Sequence, residues 1–153
     1  MNRSVASDLT IDQLLAILPH RGPFLMVDRV VERHEGRSCL ALKRITFGDP
    51  LVRTGPLPSQ LNPFMLVEAM SQTAALAAAR PGRDDAPRVG FLAAIRDFRV
   101  VRPPVPGETL AIRAEVLGRF GRLIKVQGTV SVDDETIGEA ELTLSVPGEA
   151  EHG

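Results

Sequence analysis

A chain of 153 residues is the size of one ordinary domain, able to bury roughly 70% of its unfolded surface in one core without a metal or disulfide staple. Apolar residues make up 44% and charged residues 24%, with 18 Lys+Arg against 19 Asp+Glu for a formal charge of −1. That balance excludes a disordered chain and offers no basic footprint for nucleic acid or an anionic membrane. The N-terminal MNRSVASDLTIDQLL lacks the apolar core of a signal peptide, and no apolar run reaches the ~20 residues of a membrane span. Cys39 is the only cysteine, so no intrachain disulfide can form. We therefore expect a cytoplasmic protein with Cys39 in its core.

In chain order, the first element is a short helix. Thr10 and Asp12 offer capping oxygens, Ile11, Leu14, Leu15 and Leu18 form the apolar stripe, and Pro19 ends it. Two strand-like runs follow, 24–34 and 38–47, joined by Glu35-Gly36-Arg37. The stretch 48–61 holds Pro50, Gly55, Pro56 and Pro58, and is expected to be an irregular loop. Asn62 as N-cap and Pro63 as first helical residue open the one long helix, expected over 63–79 and closed by Arg80-Pro81-Gly82. It is apolar nearly all round, which predicts a helix enclosed by other structure. Arg80, Arg83 and Arg88, interrupted by Asp84 and Asp85, read as a solvated loop. Four strands complete the chain, over 88–102, 109–117, 123–132 and 136–146, with 118–122 and 133–135 as tight connections. One long helix and five or six strands, segregated along the chain, predict an α+β fold in which an antiparallel sheet wraps the helix. A single domain is expected over 9–147, with 1–8 and 148–153 as flexible tails.

One side chain conflicts with its surroundings. Glu68 is a carboxylate in the apolar helix, which is costly unless paired or hydrogen-bonded. Gln72, one turn on, is placed to satisfy one of its oxygens. Desolvation disfavours the charged form of a carboxylate, which suits a general acid or base near neutral pH. The residues alone leave a structural role, binding water or a partner chain, equally open.

Three stretches carry a resemblance: LPHRGPFLMVDRVV (18–31), FMLVEAMSQ (64–72) and GFLAAIRDFRVVRPPVPGETL (90–110). Together they resemble, in order, the FabZ and FabA type of (3R)-hydroxyacyl-acyl-carrier-protein dehydratase, and they cover the chain from about residue 11 to 146. The resemblance implies a hotdog fold, a dimer with sheets joined edge to edge, and two sites at the interface. In each site a His from the loop before the helix of one subunit faces a Glu on the central helix of the other. It further implies Glu68 as the catalytic carboxylate and Phe64, Gln72, Gly90 and Phe91 as substrate-binding residues. The substrate would be an acyl chain carried as a thioester on acyl-carrier protein or coenzyme A. No cofactor and no metal is implied.

The chain departs from that pattern where the chemistry lies. The family's loop carries His-Phe-Pro, whereas this chain has Gly55-Pro56-Leu57-Pro58. Matching the glycine and second proline puts Pro56 in the position of the missing His, and counting back from Glu68 puts Thr54 there. Neither is a competent base. The family's glycine N–H at the helix start, which polarises the thioester carbonyl, falls at Pro63, which has no N–H. Three histidines remain. His152 lies in the tail, and His34 ends a strand on a polar edge. His20, in Leu-Pro-His, has an architectural role by resemblance and is the one candidate replacement base. Asp28 and Arg29 are expected to form an ion pair or hydrogen bonds. Three functions stay open: a hydro-lyase, as homodimer or in a heterodimer with a His-bearing hotdog subunit; a thioesterase in which Glu68 activates water; and a non-catalytic acyl-carrier-binding partner.

Overall fold

The computed structural model describes residues 8–56, 58–80 and 90–146. The remaining residues include most of both expected tails, the Arg83–Arg88 stretch, the Pro81-Gly82 stop and His152, which lie outside the described residues.

Helix α1 (Ile11–Ile17) begins with a capping box in which Thr10 Oγ1 accepts from the Gln13 N–H and Gln13 Oε1 accepts from the Thr10 N–H. Leu14 and Leu18 are buried, whereas Ile11, expected in the stripe, is exposed. Strands β1 (Arg29–His34) and β2 (Ser38–Arg44) form a hairpin turned by Glu35-Gly36-Arg37, with Gly36 at φ +72°. Strand β1 starts five residues later than expected, because the backbone before it bonds to a helix side chain instead of a neighbouring strand. The expected loop is not wholly irregular: β3 (Val52–Arg53) and β4 (Gln60–Leu61) pair, and the Leu61 N–H donates to the Pro104 carbonyl at 2.9 Å.

Helix α2 (Met65–Ala78) starts two residues after the expected Pro63. Residues 63–64 instead form a tight turn with bonds from the Leu66 N–H to Pro63 O and from the Val67 N–H to Phe64 O. Asn62 still serves the start, since its Oδ1 accepts from the Phe64 N–H at 3.0 Å. Strands β5 (Phe91–Val100), β6 (Thr109–Phe120), β7 (Leu123–Val132) and β8 (Glu135–Ser145) follow. β6 runs past the expected Leu117 because a bulge absorbs Leu117 itself and pairing resumes at Gly118, and the chain reverses in two residues at Gly121-Arg122. Asp133 and Asp134, both at positive φ, make the next two-residue turn.

Six strands form one antiparallel sheet in the order β1-β2-β6-β7-β8-β5. Alternating residues of β6, β7 and β8 point inward and meet α2, which packs across β2, β6, β7 and β8. Close approach needs glycine at two places. A Cβ on Gly128 would lie 2.8–3.0 Å from the Met70 side chain, and one on Gly138 would lie 3.0 Å from Leu66 Cδ1. Leu66, Val67, Ala69, Met70, Ala74, Leu76 and Ala77 are buried. Met65, Glu68, Ser71, Ala75 and Ala78 are only half-buried, so the expected full enclosure fails along one stripe of the helix.

The C-terminal end of α2 is held by a residue that the sequence pattern hides. Arg33 is 2% exposed; its Nε donates to Leu76 O at 2.7 Å, and its other nitrogens reach Ala79 O and Glu35. A bulge between Val30 and Glu32 shifts the alternation of β1, so that both Val30 and Arg33 face inward. A cation at that end also complements the helix dipole. Arg119 adds a bond to Ala78 O at 2.8 Å.

Candidate active site

Gln72 organises the region around Glu68. Its side chain is 1% exposed, and its Nε2 donates to the Phe24 carbonyl at 2.7 Å and to Glu68 Oε1 at 2.8 Å. Its Oε1 accepts from the Met26 N–H at 2.7 Å. The two acceptors and one donor around the amide fix its orientation, since the flipped amide would set NH2 against N–H. Segment 20–28 is thereby strapped across α2 one turn beyond Glu68.

The strap delivers His20. Arg21 donates to the carbonyls of Leu15, Leu18 and His20, locking the end of α1 and the turn that follows. His20 Nε2 then sits 3.0 Å from Glu68 Oε1, with the two side chains 36% and 35% exposed. The histidine that the sequence assigned to architecture or to a replacement base therefore meets the helix carboxylate within one chain. Its other nitrogen, Nδ1, is buried and has no hydrogen-bond partner among the described residues. Ser71 Oγ is likewise buried and unpartnered there. Glu68 is less desolvated in the single chain than a fully enclosed helix would make it, because it lies on the half-buried stripe.

The other candidates are dispersed. Phe64 is 71% exposed at the head of α2, its ring 6.2 Å from that of Phe98 on β5. Gly90 and Phe91 lie at the opposite end of β5 and are exposed. Phe91 lies seven positions before Phe98, at most about 23 Å at ~3.3 Å per residue, a span that two bulges in β5 shorten. Thr54, Gly55 and Pro56 are exposed beyond β3 and make no hydrogen bond to Glu68 among the described residues. With Arg53, Pro58 and Gln60, Gly55 and Pro56 line a cleft of about 120 Å³. The chain thus brings together Glu68, Gln72 and His20, and leaves Phe64, Phe91 and Pro56 at its surface.

The remaining expectations resolve simply. Asp28 does not pair with Arg29: its carboxylate accepts from the Arg44 N–H at 2.7 Å and lies 3.5 Å from Lys43 Nζ, while Arg29 reaches Asp8. His34 is 2.7 Å from Glu32. Cys39 is buried, and desolvation pushes its thiol up to about 12 against the opposing charge of Arg33. No cluster of His, Cys, Asp and Glu suited to a metal occurs among the described residues, and no helix there is long and apolar enough to cross a membrane.

Comparison with known proteins agrees with this architecture. A family model described as ApeP dehydratase, of the ApeP-like type, matches residues 12–152. The 3-hydroxyacyl-[acyl-carrier-protein] dehydratase FabZ of Solibacter usitatus is 38% identical over 136 residues, covering 88% of this chain and 83% of the relative. That of Oceanobacillus iheyensis is 34% identical over 140 residues, covering 90% and 99%. Among solved structures, the dehydratase heterocomplex ApeI:P from Xenorhabdus doucetiae superposes with a TM-score of 0.77 at 19% identity, covering 90% of this chain and 93% of that one. The fold is the hotdog fold, α+β, with six antiparallel strands about a central helix.

Proposed function

Because the chain belongs to the ApeP-like dehydratase family, we propose that it contributes Glu68 to the dehydration of (3R)-3-hydroxyacyl thioesters in a mixed dimer whose partner supplies the histidine. The observation that carries this reading is the asymmetry of the site. Glu68 is held in place on α2 by Gln72 and His20, whereas the loop at 54–56 offers threonine, glycine and proline where a proton-transfer base is needed.

Two further observations support a partner chain. Ser71 and Glu68 share the stripe of α2 that its own sheet leaves open. Strand β5 is a sheet edge of ten residues carrying exposed Phe91, Leu92 and Ile95, a combination that invites pairing with another strand. The FabZ relatives, named for 3-hydroxyacyl-[acyl-carrier-protein] dehydration, support this substrate class, and in this reading the acyl group is presented on acyl-carrier protein or coenzyme A.

Co-expression with a His-bearing hotdog subunit tests the proposal. A mixed dimer with hydro-lyase activity is expected, and Glu68→Gln in this chain should lower its rate by about 10² or more, since the shape stays while the ionisable group goes. The homodimer should be slower than a His-bearing relative by ~10³ or more, having neither the histidine nor the N–H at Pro63. A mixed dimer that does not form, or a rate unmoved by Glu68→Gln, overturns the reading. Acyl-thioester hydrolysis by the chain alone would replace it with a thioesterase, and carrier binding without turnover with a binding partner.

A further inference from the structure

The geometry points to a role for His20 as a positioning residue: as its neutral Nε2–H tautomer it donates to Oε1 of Glu68 in the same chain, leaving Oε2 as the single oxygen of that carboxylate free to meet substrate. This deepens the proposed function and rests on it for the activity readout, though not for the tautomer.

Oε1 already receives the Gln72 amide at 2.8 Å, and His20 Nε2 approaches the same oxygen at 3.0 Å. An acceptor oxygen has two lone pairs, so these two contacts fill it. A nitrogen facing a carboxylate oxygen at this distance must carry the proton, because two lone pairs would otherwise oppose each other. The second ring nitrogen settles the tautomer. Nδ1 is buried with no acceptor among the described residues, so a proton there would be a buried donor without a partner, whereas a bare lone pair costs less. Among the described residues no hydrogen bond reaches Oε2, and the carboxylate lies on the open stripe of α2.

The consequence is directional. A carboxylate with both oxygens free can rotate and offer either one. With Oε1 fixed from two sides, by α2 itself and by the strap through 20–28, only the rotamer that sends Oε2 outward remains. Proton transfer needs such placement before the substrate arrives. His20 itself exchanges no proton with substrate in this arrangement.

Two measurements test the inference. On the ¹⁵N-labelled full chain, long-range ¹H–¹⁵N spectra at pH 7.5 should show His20 as the Nε2–H tautomer, and Glu68→Gln should shift its ring signals. An Nδ1–H tautomer, or a ring unaffected by Glu68→Gln, overturns the assignment. In the mixed dimer, His20→Leu should lower kcat by about 10- to 100-fold with KM within about two-fold, and His20→Gln, which keeps a donor at the Nε2 position, should recover kcat to within about three-fold of wild type. Equal loss in His20→Gln and His20→Leu would make the imidazole a proton-transfer group and overturn the positioning role. Full activity in His20→Leu would also overturn it. A mixed dimer without dehydratase activity sinks the proposed function alone, because the tautomer is read on this chain by itself.

Discussion

Gln72 makes three hydrogen bonds through the two polar atoms of its amide, two to the strap at Phe24 and Met26 and one to Glu68, so its loss is felt in three places. Gln72→Leu keeps the volume but leaves the buried Met26 N–H unpaired, at about 1–3 kcal/mol, and strips the part-buried Phe24 carbonyl of its donor at a smaller cost. We expect urea denaturation to show a loss of about 2–4 kcal/mol, and the mixed dimer to lose activity as well. Cys39 gives a second outcome at this scale. Burial holds its proton up to about 12 against an ordinary 9.0, so the unfolded chain releases that proton first and stability falls as pH rises between those values. The cost of Cys39→Ala should therefore shrink, by roughly 1 kcal/mol, between pH 8 and pH 10, measured by denaturation at both. The sequence made Glu68 and Gln72 legible because i and i+4 share a helix face. The contact with His20 was not legible, since it closes over 48 positions and depends on how the segment after α1 is tied down.

Helix α2 is the element on which the site is built, and both of its attachments can be probed. Gly128→Ala brings a Cβ to 2.9 Å from Met70 Cβ, too near the backbone for a rotamer change to relieve, so we expect a loss of about 1–3 kcal/mol seen as a lower Tm. At the other end, Arg33→Met removes the donor to Leu76 O and Ala79 O, and should destabilise by about 2–4 kcal/mol. Long strands with alternating apolar residues, such as β7, were readable to the residue. The start of β1 and the extent of β6 were not, because a side chain competes for the backbone in one case and a bulge extends pairing in the other. The inward turn of Arg33 is invisible to alternation for the same reason: one inserted residue reverses the parity of everything after it.

For the molecule as a whole, the sheet has one edge dressed for solvent and one that is not. Ile95 is 46% exposed on β5, so if the proposed dimer pairs along this edge, Ile95→Lys should leave the fold of the single chain intact while shifting sedimentation toward monomer and abolishing mixed-dimer turnover. The α+β class and the wrapped helix were legible from element order alone. What faces the open stripe of α2 was not, because one chain's pattern says that a surface is apolar and nothing about what covers it. The strap over α2 has one more implication. The Met26 amide proton points at Gln72 Oε1, 46 residues away, and can meet solvent only when the segment carrying His20 lifts from the helix. Its rate of deuterium uptake is therefore a clock for the site itself, reporting how often Glu68 loses its setting in a protein that is otherwise still folded.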